Sequence, residues 1–176
     1  MNEIKKHEGL TPETFVQKFL PLEITKTYGH IKTVAQAIKE DTNGIALYKK
    51  EYGEKAVLTL LRLNLLSLNT SINTHEKLSG EQIDEIAYEI MSTYYFLSPI
   101  EIGFIFRKAK RGDYGRINYA INMPDVLLWF SQYSEERATE FINNNTLNRS
   151  RDNSLRSEDR KILAKHEKLM NENVKK

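Results

Sequence analysis

The chain has 176 residues, of which 40% are hydrophobic and 28% charged, a balance that excludes a disordered chain and suits one domain with a real core. It contains no cysteine, which rules out disulfides, thiolate metal centres and cysteine nucleophiles together and fits a reducing compartment. The net charge of +2 is unevenly spread: residues 143–176 hold nine Lys/Arg and five Asp/Glu, leaving −2 on the first 142 residues, and within these Arg107 to Arg116 holds five bases against one acid. Two basic patches therefore sit on an acidic body, a pattern that meets something anionic or stays solvated.

The first residues, Met1 to Glu8, are charged and carry no apolar signal core. Thr11-Pro12-Glu13 opens a first helix, with Thr11 as cap and Pro12 at the position where a missing N–H costs nothing. Phe15, Val16, Phe19 and Leu20 share its apolar face, and Pro21 is expected to stop it. Ile31, Val34, Ala35 and Ile38 follow helical spacing and predict a second helix, broken at Asp41-Thr42-Asn43-Gly44. A short helix over Ile45 to Tyr52 ends at Gly53, and Glu54 to Ser71 reads as a central buried helix. Its apolar run from Ala56 to Leu68, interrupted by Thr59, Arg62, Asn64 and Ser67, is too short and too polar to span a bilayer.

Two capping boxes follow. Ser79 with Gln82, stapled by Leu78 and Ile83, starts a helix whose core stripe is Ile83, Ile86, Ala87, Ile90 and Met91. Ser98 with Glu101, stapled by Leu97 and Ile102, starts the next, and Gly112 ends it. With Thr93 to Leu97 between them, the two helices have the outline of a helix-turn-helix. Ile117 to Met123 alternates like a short extended piece, and Pro124 to Ile142 reads as a helix with Val126, Trp129, Phe130, Tyr133 and Phe141 inward. Past Asn143-Asn144-Asn145 the chain is polar, and Ser157 to Met170 predicts a marginal helix with a thin stripe of Ile162, Leu163, Leu169 and Met170. The expected fold is thus mainly α: a single helical-bundle domain over residues 1–142 and a basic tail over 143–176.

Signatures of catalysis are missing from the sequence. His7, His30, His75 and His166 are far apart and lack a second ligand at helical spacing, so neither a metal nor another cofactor is expected. Glu81, Asp84, Glu85 and Glu89 lie on one helix opposite its apolar stripe and read as a solvated face. There is no phosphate-binding G-x-x-x-x-G-K-[ST] loop and no G-x-S-x-G nucleophile turn. The basic cluster of Arg107, Lys108, Lys110, Arg111 and Arg116, interleaved with Tyr114 and Tyr119, is the candidate site. Arg107, Lys110, Arg111 and Arg116 would neutralise phosphates and Tyr114 would contact sugar or base, with Gly112 and Gly115 shaping the turn. The competing explanation is that cations at a helix C-terminus are favoured by the macrodipole, worth about 0.3–1 kcal/mol each at a surface.

The segments Leu-Ser-Gly-Glu-Gln-Ile from Leu78, Tyr-Tyr-Phe-Leu-Ser-Pro-Ile-Glu-Ile from Tyr94, Phe-Arg-Lys-Ala-Lys-Arg-Gly-Asp-Tyr-Gly-Arg from Phe106 and Leu-Leu-Trp-Phe-Ser-Gln-Tyr-Ser-Glu-Glu-Arg from Leu127 are similar to an uncharacterised helical protein family of phages and mobile elements of gut-type bacteria. The resemblance covers Leu78–Arg137 and implies a replication or DNA-handling setting, loosely like that of helicase loaders without an ATPase. The expectation is a non-enzymatic accessory protein of the bacterial cytoplasm that contacts nucleic acid or a replication protein. The alternative is a structural or protein–protein module, such as a virion component, that assembles as a homo-oligomer or into a larger structure through its C-terminal helix.

Overall fold

The computed structural model describes residues 11–117 and 119–144, and they form a mainly α-helical fold. The helices are α1 (Pro12–Lys18), α2 (Pro21–Tyr28), α3 (Val34–Glu40), α4 (Ile45–Tyr52), α5 (Glu54–Ser71), α6 (Gly80–Thr93) and α7 (Pro99–Arg111), followed by α8 (123–144). Two compact units divide the chain between Arg137 and Ala138, inside α8, and the packing described below belongs to the first. The predicted helix at Ser157 to Met170 and the basic tail lie outside the described residues.

Local chemistry accounts for most helix starts. The Thr11 hydroxyl accepts from the Thr14 N–H at 3.3 Å. Capping boxes close at Thr33/Gln36, Ser79/Gln82 and Ser98/Glu101. Asn122 caps α8 by accepting from the Asp125 N–H at 3.0 Å. Gly112 ends α7 in the left-handed conformation that suits a residue without Cβ.

Three expectations need correction. Pro21 ends α1 but also begins α2, since proline at the first helical position loses no hydrogen bond and comes with the right φ. The second predicted helix starts at Val34, after the Thr33 cap, while Ile31 is buried in the preceding turn. The extended piece at Ile117 to Met123 contributes only an isolated parallel bridge between Glu76 and Ala120 among the described residues.

Two helices organise the packing. α5 lies against α1, α2, α4, α6 and α7, and α7 lies against α2, α3 and α5. α7 is the more enclosed, with nine of its 13 residues buried, against eight of 18 for α5. Ile100, Ile102, Phe104, Ile105 and Phe106 are all in the core, each stabilising the fold by roughly 1.5–3 kcal/mol relative to exposure. Gly103 lets α2 approach closely, because a Cβ there would sit 2.8 Å from the Ile24 side chain. Phe15, Phe19, Tyr48 and Tyr52 form an aromatic nest between α1 and α4, with Phe15 stacked on both tyrosines at about 5 Å. On α8, Val126, Trp129, Phe130 and Tyr133 are buried as predicted, whereas Phe141, in the second unit, is exposed.

Candidate functional site

The basic cluster leaves α7 in several directions. Arg107 reaches α2 and the turn after it, donating to the carbonyls of Tyr28 at 2.9 Å and Ile31 at 2.7 Å while lying over the Phe104 ring. Burial, followed by the nearby Arg111 charge, lowers its basicity. Lys108 turns to α8, where both oxygens of Glu136 accept from its Nζ at 2.8 and 2.6 Å, and it also lies over the Tyr114 ring at 4.7 Å. Lys110 points at α5 and donates to the Ser67 hydroxyl at 3.0 Å, and partial desolvation lowers its pKa. Arg111 pairs with Asp113, two residues away. Arg116 is exposed and has no partner among the described residues.

The geometry therefore corrects the expected phosphate clamp. Arg107 is committed to internal carbonyls rather than to a surface. Its predicted face with Lys110 and Arg111 divides, because α7 is central and each side of it meets a different neighbour. Tyr114 is also turned inward: its ring stacks on Trp129 at 6.4 Å with an interplanar angle of 12°, and its hydroxyl is buried without a partner among the described residues. Burial, with Glu136 and Asp113 nearby, raises the Tyr114 pKa well above the ordinary phenol. Lys110, Arg111 and Arg116 remain at the surface. The helix-turn-helix outline is present as α6 and α7, but it does not offer a recognition helix. Its second helix, which would enter a major groove, is the enclosed α7.

A buried polar site that sequence reasoning assigned only to capping lies at the start of α7. Glu101 is 1% exposed, and its carboxylate accepts from the Ser98 N–H at 2.9 Å, the Tyr133 hydroxyl at 3.1 Å and Arg137 Nε at 2.7 Å. Arg137 in turn covers the Phe96 ring. Desolvation, then the adjacent carboxylate, raises the Tyr133 pKa strongly. With three donors supplied from within the fold, this carboxylate fastens residues up to Arg137 of α8 to α7 and has a structural task. Among the described residues, no group of three or more His, Asp or Glu is arranged to hold a metal ion.

A second surface lies on the outer side of α6. Asp84, Glu85, Tyr88, Glu89, Met91 and Ser92 line a groove of about 480 Å³, whose opposite wall carries Met123 at the start of α8. Tyr88 is 48% exposed. Asp84 is shared with Arg62 of α5, Glu89 accepts from the Thr93 hydroxyl at 2.6 Å, and Glu85 has no partner among the described residues. No Lys or Arg occurs between Lys77 and Arg107, so α6 brings no positive charge of its own to this face. The sequence showed the acidic face. It did not show the groove, because Met123 lies more than thirty residues downstream and joins it only through folding.

Comparison with known proteins gives no match to a family model, a curated protein or a solved structure. No helix among the described residues is long and apolar enough to cross a membrane.

Proposed function

We propose that this chain is a non-enzymatic accessory protein of a phage or mobile element that works by docking another protein on the outer face of α6. The groove between Tyr88, Met91 and Met123 carries this reading. It combines a half-exposed aromatic ring with the partly buried thioether of Met123 over a floor formed by the core residue Met91, and aromatic and methionine side chains are features that partner-binding surfaces favour. Nucleic-acid contact at the exit of α7 has less support, since Arg107 and Tyr114 are committed inside the fold and Arg111 is paired with Asp113.

The test is site-directed photocrosslinking in the producing cells, with a benzophenone amino acid at position 88 and, as control, at the exposed Thr70 of α5. A discrete protein adduct from position 88 and none from position 70 is expected. No adduct from 88, or the same adduct from both positions, overturns the reading. In parallel, DNA binding is measured across a salt series for the native chain and for the Lys110→Ala/Arg111→Ala/Arg116→Ala variant. A steep salt slope that flattens in the variant would return the nucleic-acid reading to first place.

A further inference from the structure

Resting on the reading of the α6 face as a docking surface, we infer that its occupant is a cationic amphipathic helix of another protein. An apolar side chain of that helix enters between Tyr88, Met91 and Met123, and its lysines or arginines lie against Glu85, Glu89 and Asp84. Shape is the first argument. Asp84, Tyr88 and Ser92 form one i, i+4 row on α6, and Glu85 with Glu89 forms the next. With Met123 at the start of α8 they line a groove along one face of α6, and rows of this spacing are the relief against which the ridge of another helix packs. An added β-strand is excluded on this face, because a helix has no free edge of backbone amides to pair with.

Charge is the second argument. α6 holds four carboxylates and no base, and among the described residues Arg62 pairs with Asp84 alone. The local field attracts a cationic segment and repels a phosphate backbone, so the same groove is a poor seat for nucleic acid. The apolar floor then supplies what charge alone does not. A Leu or Met side chain removed from water there gives affinity, while the acidic rim sets orientation and encounter rate.

The experiment is fluorescence anisotropy with the full chain and three labelled helical peptides: one of repeating Lys-Leu-Ala-Lys units, its counterpart with every Lys replaced by Glu, and one of the first composition with the apolar stripe scrambled. Proteins are the native chain, Glu85→Lys and Tyr88→Ala, both changes at exposed positions, with folding verified by thermal melts. The basic amphipathic peptide is expected to bind, to weaken as salt rises, and to lose roughly ten-fold in affinity in each variant. The glutamate and scrambled peptides should bind at least as much more weakly. Equal binding of the three peptides, or variants indistinguishable from the native chain, overturns the proposal. So does a sedimentation result in which the chain self-associates and Tyr88→Ala dissolves the assembly, since the face is then occupied by a second copy. A crosslinked adduct at position 88 without peptide binding leaves the docking surface standing and removes only the basic helix as its partner.

Discussion

Arg107 joins segments 79 and 76 positions apart by donating to the carbonyl of Tyr28, the last residue of α2, which also accepts from the Ile31 N–H at 3.1 Å, and to the carbonyl of Ile31 in the turn beyond it. Two charge-assisted bonds at a partly buried site make this side chain a staple, so Arg107→Ala is expected to lower unfolding free energy by about 2–3 kcal/mol. Arg107→Lys should not restore it, because a single ammonium cannot span both carbonyls as a guanidinium does. Arg116→Ala, at an exposed position of the same basic run, should change stability by less than about 0.5 kcal/mol. Urea unfolding midpoints at constant m-value measure the contrast, and equal effects for the two alanine variants would refute the assignment. Residue type alone could not separate these arginines: both belong to one basic run, Arg107 inside α7 and Arg116 past its end, and the position of α2 decides that Arg107 is enclosed.

At the scale of elements, the corner between α6 and α7 is seated on the N-terminus of α4. The Ile45 N–H donates to the Leu97 carbonyl at 2.8 Å and the Ala46 N–H to the Tyr95 carbonyl at 3.0 Å, so free donors of one helix start serve the turn between two others. Gly44 makes the approach possible: a Cβ there would lie 2.6 Å from the Tyr95 oxygen and 2.8 Å from the Phe96 backbone. Gly44→Ala is therefore expected to destabilise by about 2 kcal/mol and to speed hydrogen exchange at the Ile45 and Ala46 amides. Unchanged exchange at both amides would show that the corner does not depend on this contact. Sequence reading placed Gly44 at a helix break, which is correct locally, but its close packing against Tyr95 and Phe96 is a long-range fact. The capping boxes at Ser79 and Ser98 were legible because their hydrogen bonds close within four residues. The start of α2 was missed because Pro21 carries both meanings, stop and first residue, and the sequence before it favours the first.

For the whole molecule, tyrosine burial predicts the alkaline limit of the fold. The Tyr52 pKa is pushed up to about 12, first by burial and then by its bond to Glu51, and burial drives Tyr48, Tyr114 and Tyr133 higher still. In the unfolded chain these phenols ionise near 10. Because the folded values are raised, the stability they contribute is fully present below about pH 10 and falls as pH climbs through 10 toward 12 and beyond. Unfolding should therefore be cooperative and alkaline, with phenolate absorbance rising together with the emission shift of the buried Trp129, the chain's one tryptophan. Phenolate formation of these residues without any change at Trp129 would contradict it. The sequence by itself determined the helices that carry their own caps and stripes, the acidic outer face of α6 and the basic exit of α7, because those signals are set by spacings of three and four residues along one helix. Only the tertiary structure decided which helix is enclosed, which cations are consumed by internal carbonyls and carboxylates, and that Met123 completes a groove with Tyr88. Those outcomes depend on which distant surfaces exclude water from one another, and no local spacing records that.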